Sequence, residues 1–206
     1  PAYHDAVRDL YYSQVEEDFV KTYPADTPHL DRIYRNFERY AEEMILHAAR
    51  VHPVPWEQAL LSFLKIVENE NVNWWLTGSA ALAVRGTGIS PRDLDLVVDG
   101  VSARRLGELL LDYLVEPVLP VQGWICNWFG RAFLHARIEW IGDVHVSVDE
   151  PDISDFGPIA ASRLEVINWH RKEIRVPPLD LQLEVNKRRG LVERVEIIMR
   201  VVNSSG

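Results

Sequence analysis

Apolar residues recur every three or four positions through most of the chain, and every second position in a few short stretches. The first segment, Tyr3 to Lys21, spaces Val7, Tyr11, Val15 and Phe19 along one helical face, and Tyr23-Pro24 to Pro28 breaks it. Thr27 is then the expected N-cap, with Pro28 at the first helical position. A second helix carries Leu30, Ile33, Phe37, Tyr40, Met44 and Ala48 on one face. His52-Pro53-Val54-Pro55 cannot continue a helix and divides a helical extension, 1–52, from a second unit, 53–206. Trp56 to Glu68 predicts a third helix, with Leu60, Phe63, Leu64 and Val67 inward. A helix capped by Ser102 follows further on, and then an edge strand over Val115–Val121, interrupted by Pro117 and Pro120. Trp124–Phe129 and Arg131–Ile141 read as two strands joined by a turn at Gly130. A hairpin (Val166–Trp169, Glu173–Val176), a helix from Pro178 to Arg189 stopped by Gly190, and a last helix to about Val202 complete the pattern.

One stretch departs from plain amphipathic patterning. Trp74-Trp75-Leu76 runs into the small-residue turn Thr77-Gly78-Ser79 and a short Ala/Leu segment that stops at Gly86. Asp93 and Asp95 then alternate with Leu94 and Leu96 and lead into Val97-Val98. The period of two places both carboxylates on one strand face and both leucines on the other. Like charges held side by side repel, so a fold keeps them mainly where a cation neutralises them.

Composition narrows the partners. The chain has 206 residues, 47% hydrophobic, with 22 Lys+Arg against 31 Asp+Glu and a net charge of −9. It is long and apolar enough for an ordered core. Its acidity is the wrong sign for a generic binder of long nucleic acid, but a bound divalent cation could still reverse the local field for a small anionic substrate. No run is long enough to span a bilayer, no signal-peptide pattern is present, and Cys126 is the single cysteine; the expectation is a cytoplasmic protein without membrane contact. The seven histidines show no metal-ligand spacing, and His47 and His52 read as surface residues.

The Gly78-Ser79 turn followed by Asp93-x-Asp95 resembles the signature of the nucleotidyltransferase superfamily, whose broad relatives include DNA polymerase beta. The spacing GSAALAVRG before PRDLDLVV is most similar to the small bacterial branch with lincosamide, aminoglycoside and abortive-infection-type nucleotidyltransferases. The likeness runs roughly from Trp56 to Val202. It implies an α+β fold: a small mixed sheet bearing the carboxylates, helices packed on it, and here an all-helical N-terminal extension. It also implies transfer of a nucleoside monophosphate from an NTP to an acceptor hydroxyl, with Mg²⁺ as cofactor and pyrophosphate as product. The acceptor class expected is a small molecule or a protein side chain.

The residue chemistry is consistent with this. Two divalent ions about 4 Å apart can clamp an in-line displacement at phosphorus, and Mg²⁺ takes a few carboxylates plus substrate phosphates and water. By resemblance, Asp93 and Asp95 would hold metal, Gly78 and Ser79 would contact the nucleotide phosphates, and Glu139 would be the third carboxylate. The family more often has Asp there, which makes Asp143 a rival. Arg85, Arg92 and Lys187 are candidates for phosphate contacts, each with a surface ion pair as its plain alternative. Trp74, Trp75 and Trp140 read as core, and the N-terminal helices as a packing or dimerisation element. The other reading of function is a protein of this fold that binds without turnover, such as a toxin–antitoxin component.

Overall fold

A computed structural model describes residues 2–204. The centre is a five-stranded mixed sheet in the order β3-β4-β7-β6-β5, built from β3 (Trp74–Thr77), β4 (Leu94–Val98), β5 (Leu114–Pro120), β6 (Cys126–Leu134) and β7 (Ala136–Val144). Only β4 and β7 pair in parallel; the other neighbours are antiparallel. One face of the sheet, with Leu94, Leu96, Val98, Ile138 and Trp140, packs against α3 (Trp56–Val67), α4 (Gly78–Ala83) and α5 (Gly100–Leu109). Near β3 the other face presents Trp75 and Val97 to Ala160 of α6 (Pro158–Ala161) and Leu181 of α7 (Leu179–Arg188). The α+β architecture with helices packed on a small mixed sheet is the one expected. Among the described residues no helix is long and apolar enough to cross a membrane.

The extension differs from its prediction in detail. α1 (Ala2–Asp9) ends early, and β1 (Ser13–Val15) pairs with β2 (Asp18–Val20) as a hairpin, so residues 3–21 are not one helix and the extension is not all-helical. The i, i+4 spacing of Tyr11, Val15 and Phe19 was coincidental: Ala6 and Leu10 are the buried residues, while Tyr11 and Val15 face out. The Leu10 carbonyl, which a continuing helix would use, instead accepts from Arg131 Nη1 at 3.0 Å. α2 (Leu30–Ala48) forms as predicted, but His29, in a left-handed conformation, holds the N-cap position in place of Thr27. His47 is buried against Phe133 rather than exposed, and its burial lowers its proton affinity. Leu10, Met44, Val115 and Phe133 form a small core that seats this part of the chain on the sheet.

Two further corrections concern the sheet. Asp99, not Ser102, caps α5, its Oδ1 accepting from Ser102 N at 2.7 Å; the Ser102 hydroxyl accepts from Asn73 N. Gly130 lies within β6, and the chain reverses at His135, which adopts φ 63°. Gly130 is there for room: a Cβ would lie 2.2 Å from Cε2 of the fully buried Trp140. Gly130→Ala is therefore expected to destabilise the fold by about 1–3 kcal/mol, measured by urea unfolding.

The chain continues through a 3₁₀ turn at 146–149 and α6, neither of which the patterning indicated, to the hairpin β8 (Glu165–Trp169) with β9 (Lys172–Val176), α7, and α8 (Val192–Ser204), which it did.

Candidate active site

The registers of the sheet align one residue from each strand in a lateral row. Thr77 pairs with Asp95, Asp95 with Glu139, Glu139 with Arg131, and Arg131 with Glu116. Strand pleating puts such partners on the same face, so the period-two reading of Asp93 and Asp95 extends across the sheet. Asp93, Asp95 and Glu139 each offer an oxygen, and these atoms lie within 4.8 Å of one another.

These carboxylates differ in environment. Burial, then the negative charges of Asp93 and Glu139, push Asp95 well above the ordinary carboxylate range. Burial would raise Glu139 too, but Arg131 and Arg137 overcome it and hold Glu139 below that range. Arg131 Nε donates to Glu139 Oε1 at 2.6 Å, and Arg137 Nε lies 3.0 Å from the same oxygen. Arg137 Nη2 also donates to Asp93 Oδ2, so one guanidinium bridges two of the three acids.

A cavity of about 410 Å³ opens over Asp95 and Glu139. Gly78, at φ 61°, forms part of its wall, and a Cβ there would sit 2.7 Å from Asp95 Oδ2. Ser79 is buried just behind, in the first turn of α4. Tyr11, Trp124 and Phe129 line another side as an edge-to-face series, with ring centroids 6.4 and 5.6 Å apart. On the α7 side, Gln182 Nε2 donates to the Gly78 carbonyl at 3.1 Å, and Val185 and Arg189 line the cavity at the next helical spacings.

Not every predicted contact residue reaches this cavity. Arg85 donates to Glu165 Oε2 at 2.5 Å and to the Pro177 carbonyl at 2.8 Å, which holds it at the β8–β9 hairpin. Lys187 pairs with Glu184 on the exposed side of α7. Arg92 is exposed; burial, then the charges of Arg189 and Arg92, lower the proton affinity of Arg194 of α8, which also feels Asp93 and Asp95. Arg189 and Arg194 thus join Arg131 and Arg137 as basic residues at the cluster that the sequence did not single out, and the acidic Asp155 is a further one. Asp155 lines the cavity, with burial raising its carboxyl, and its backbone carbonyl accepts from Thr77 Oγ1 at 3.1 Å. Asp143 is elsewhere: its Oδ1 accepts from Gly100 N at 2.7 Å at the start of α5.

The set fits a divalent cation. Three hard oxygen donors converge, and Asp95 is half-buried among like charges with a glycine cradle beside it.

Solved structures share this architecture. A Thermotoga maritima protein described as a nucleotidyltransferase superposes with a TM-score of 0.54 at 22% identity, covering 72% of this chain and 93% of its own. A lincosamide antibiotic adenylyltransferase with lincomycin bound gives 0.49 at 18% identity, over 72% of this chain and 96% of its own. An antibiotic-resistance factor studied in solution gives 0.48 at 11%, over 75% and 86%. No protein-family model matches the sequence, and no curated protein matches it. The fold is the nucleotidyltransferase fold.

Proposed function

We propose that the chain is a metal-dependent nucleotidyltransferase that moves a nucleoside monophosphate from an NTP to the hydroxyl of a small molecule or protein. The observation that carries this reading is the convergence of Asp93, Asp95 and Glu139, of which Asp95 and Glu139 line a cavity bordered by Gly78, within a nucleotidyltransferase fold. In the proposed reaction the acceptor oxygen forms a bond to the α-phosphorus, the bond from that phosphorus to the β-bridging oxygen breaks, and pyrophosphate leaves. Asp93, Asp95 and Glu139 would hold Mg²⁺, which supplies Lewis-acid polarisation of the phosphate and activation of the acceptor oxygen.

The chain's own groups have distinct tasks. Glu139, kept ionised by Arg131 and Arg137, supplies fixed negative charge. Asp95, whose proton affinity in the metal-free protein is raised by burial and by Asp93 and Glu139, would give up that proton on taking the cation. Arg189 and Arg194 lie where anionic phosphates would gain from positive charge. The aromatic side formed by Tyr11, Trp124 and Phe129 offers a surface for an apolar ring of the base or the acceptor.

The binding-only reading draws on Arg137, whose guanidinium already spans Asp93 and Glu139 and partly neutralises the cluster from within. Thermal shift with Mg²⁺ and NTP, followed by label transfer, separates the two. The wild type should gain melting temperature and Asp93→Ala/Asp95→Ala should not. Label from α-labelled, but not γ-labelled, NTP should then appear on an acceptor. Equal shifts in both proteins would remove the assigned site; a wild-type-only shift without transfer to any acceptor would support the binding role.

A further inference from the structure

The lateral row does not stop at the edge of the sheet. Glu116, on edge strand β5, accepts from Lys21 Nζ at 2.6 Å and from the Tyr23 hydroxyl at 3.2 Å, both from the segment that follows the β1–β2 hairpin. The side chains of Arg131 and Glu116 are 0% and 5% exposed, and that of Lys21 is 16% exposed, so these charges are nearly out of water. Arg131 is shared: Nε donates to Glu139, while Nη1 donates to Glu116 and to the Leu10 carbonyl. Signs therefore alternate from Glu139 through Arg131 and Glu116 to Lys21 where its amine is protonated. Burial, then Arg131 and Arg137, bring that amine down to about 7 against the pull of Glu139, so the full row is set below that value.

We propose that Lys21 is a positioning residue for the transfer site: by neutralising Glu116 it lets Arg131 remain on Glu139, and so fixes the third carboxylate of the cluster. The proposal rests on the nucleotidyltransferase reading of that cluster. The physical argument is a competition. A buried carboxylate without a counter-charge is strongly unfavourable, so with Lys21 removed Glu116 draws more of Arg131. Glu139 then leans on Arg137, which is also the partner of Asp93. Loss of one amine on the N-terminal segment thereby alters two of the three carboxylates, although Lys21 itself does not line the cavity over them. The same segment brings Tyr11 to the cavity wall, so it meets the site both along the row and directly.

The test uses the full chain with Lys21→Met, Lys21→Arg and the double variant Lys21→Met/Glu116→Gln. Each is read by kcat and KM for NTP and by the Mg²⁺ dependence of melting temperature without nucleotide. Lys21→Met should lower kcat about 10- to 100-fold and weaken Mg²⁺ by a similar factor, as for other groups that orient metal ligands, with KM for NTP little changed. Lys21→Arg should keep the charge and most of the activity. The double variant removes the competing carboxylate together with the amine and should recover kcat and Mg²⁺ affinity to within a few-fold of wild type.

A folded Lys21→Met with wild-type kcat and Mg²⁺ affinity would overturn the proposal, and so would a folded double variant as impaired as the single. If Lys21→Met does not fold, the double variant still decides, because the competition predicts that it works. A wild type that neither transfers label nor responds to Mg²⁺ would instead overturn the reading of function on which the proposal stands.

Discussion

Asp95→Asn is expected to stabilise the metal-free protein near neutral pH while lowering transfer activity about 10³-fold. The two effects share one cause. Burial, and then Asp93 and Glu139, raise the proton affinity of Asp95 well above its ordinary value of 3.8. A carboxyl whose folded value exceeds its unfolded value contributes stability that is complete below the unfolded value. That contribution is lost as pH rises through the folded value. Asparagine has the shape of the protonated acid and does not ionise. The melting temperature of the wild type should therefore fall relative to Asp95→Asn as pH rises from 4 towards 7, leaving the variant a few degrees higher at neutral pH. Added Mg²⁺ should close the gap by raising the wild type alone. A variant less stable than wild type across that range would show that Asp95 serves structure rather than the cation.

Arg131→Met should be the most destabilising substitution in the sheet, at about 3–5 kcal/mol by urea unfolding. Methionine replaces much of the aliphatic stem but leaves Glu116 and Glu139 facing each other across an empty charge position. At 2–4 °C per kcal/mol for a chain of this size, the melting temperature should drop by about 6–20 °C. Glu116→Gln in the same background should return part of the loss, because it removes one of the two stranded charges. A cost below about 1 kcal/mol for the single variant would mean that water reaches the row and screens it.

What the sequence disclosed, and what it did not, follows from how local each signal is. Asp93 and Asp95 are two residues apart on one strand, next to a glycine turn, so their convergence could be read from spacing. Glu139 could be read from its place in an apolar run. The long helix at 30–48 and the terminal hairpin and helices are likewise set by patterning within a few turns. Arg131 could not be read in the same way, because the reversal was placed at Gly130. With the turn at His135, residues equidistant from it pair, and Arg131 falls opposite Glu139. Gly130 was misleading because its missing side chain serves Trp140 across the strands, which is a tertiary reason. Lys21 and Glu116 are 95 positions apart and have no shared pattern at all. On α7 the basic run Lys187-Arg188-Arg189 was visible, but only the helical phase fixed by Gln182 and Gly78 chooses Arg189 for the cavity.

The alternating row also bears on how the strands find their alignment during folding. β6 and β7 are both rich in large apolar residues, and hydrophobicity alone would tolerate a slip of two positions, which keeps every side chain on its face. The charges do not tolerate it. A slip in one direction sets Arg131 opposite Arg137, and in the other it sets Phe133 opposite Glu139. Each misaligned hairpin would strand charge inside the collapsing chain, so the residues that furnish the site also select the one pairing from which it can be built.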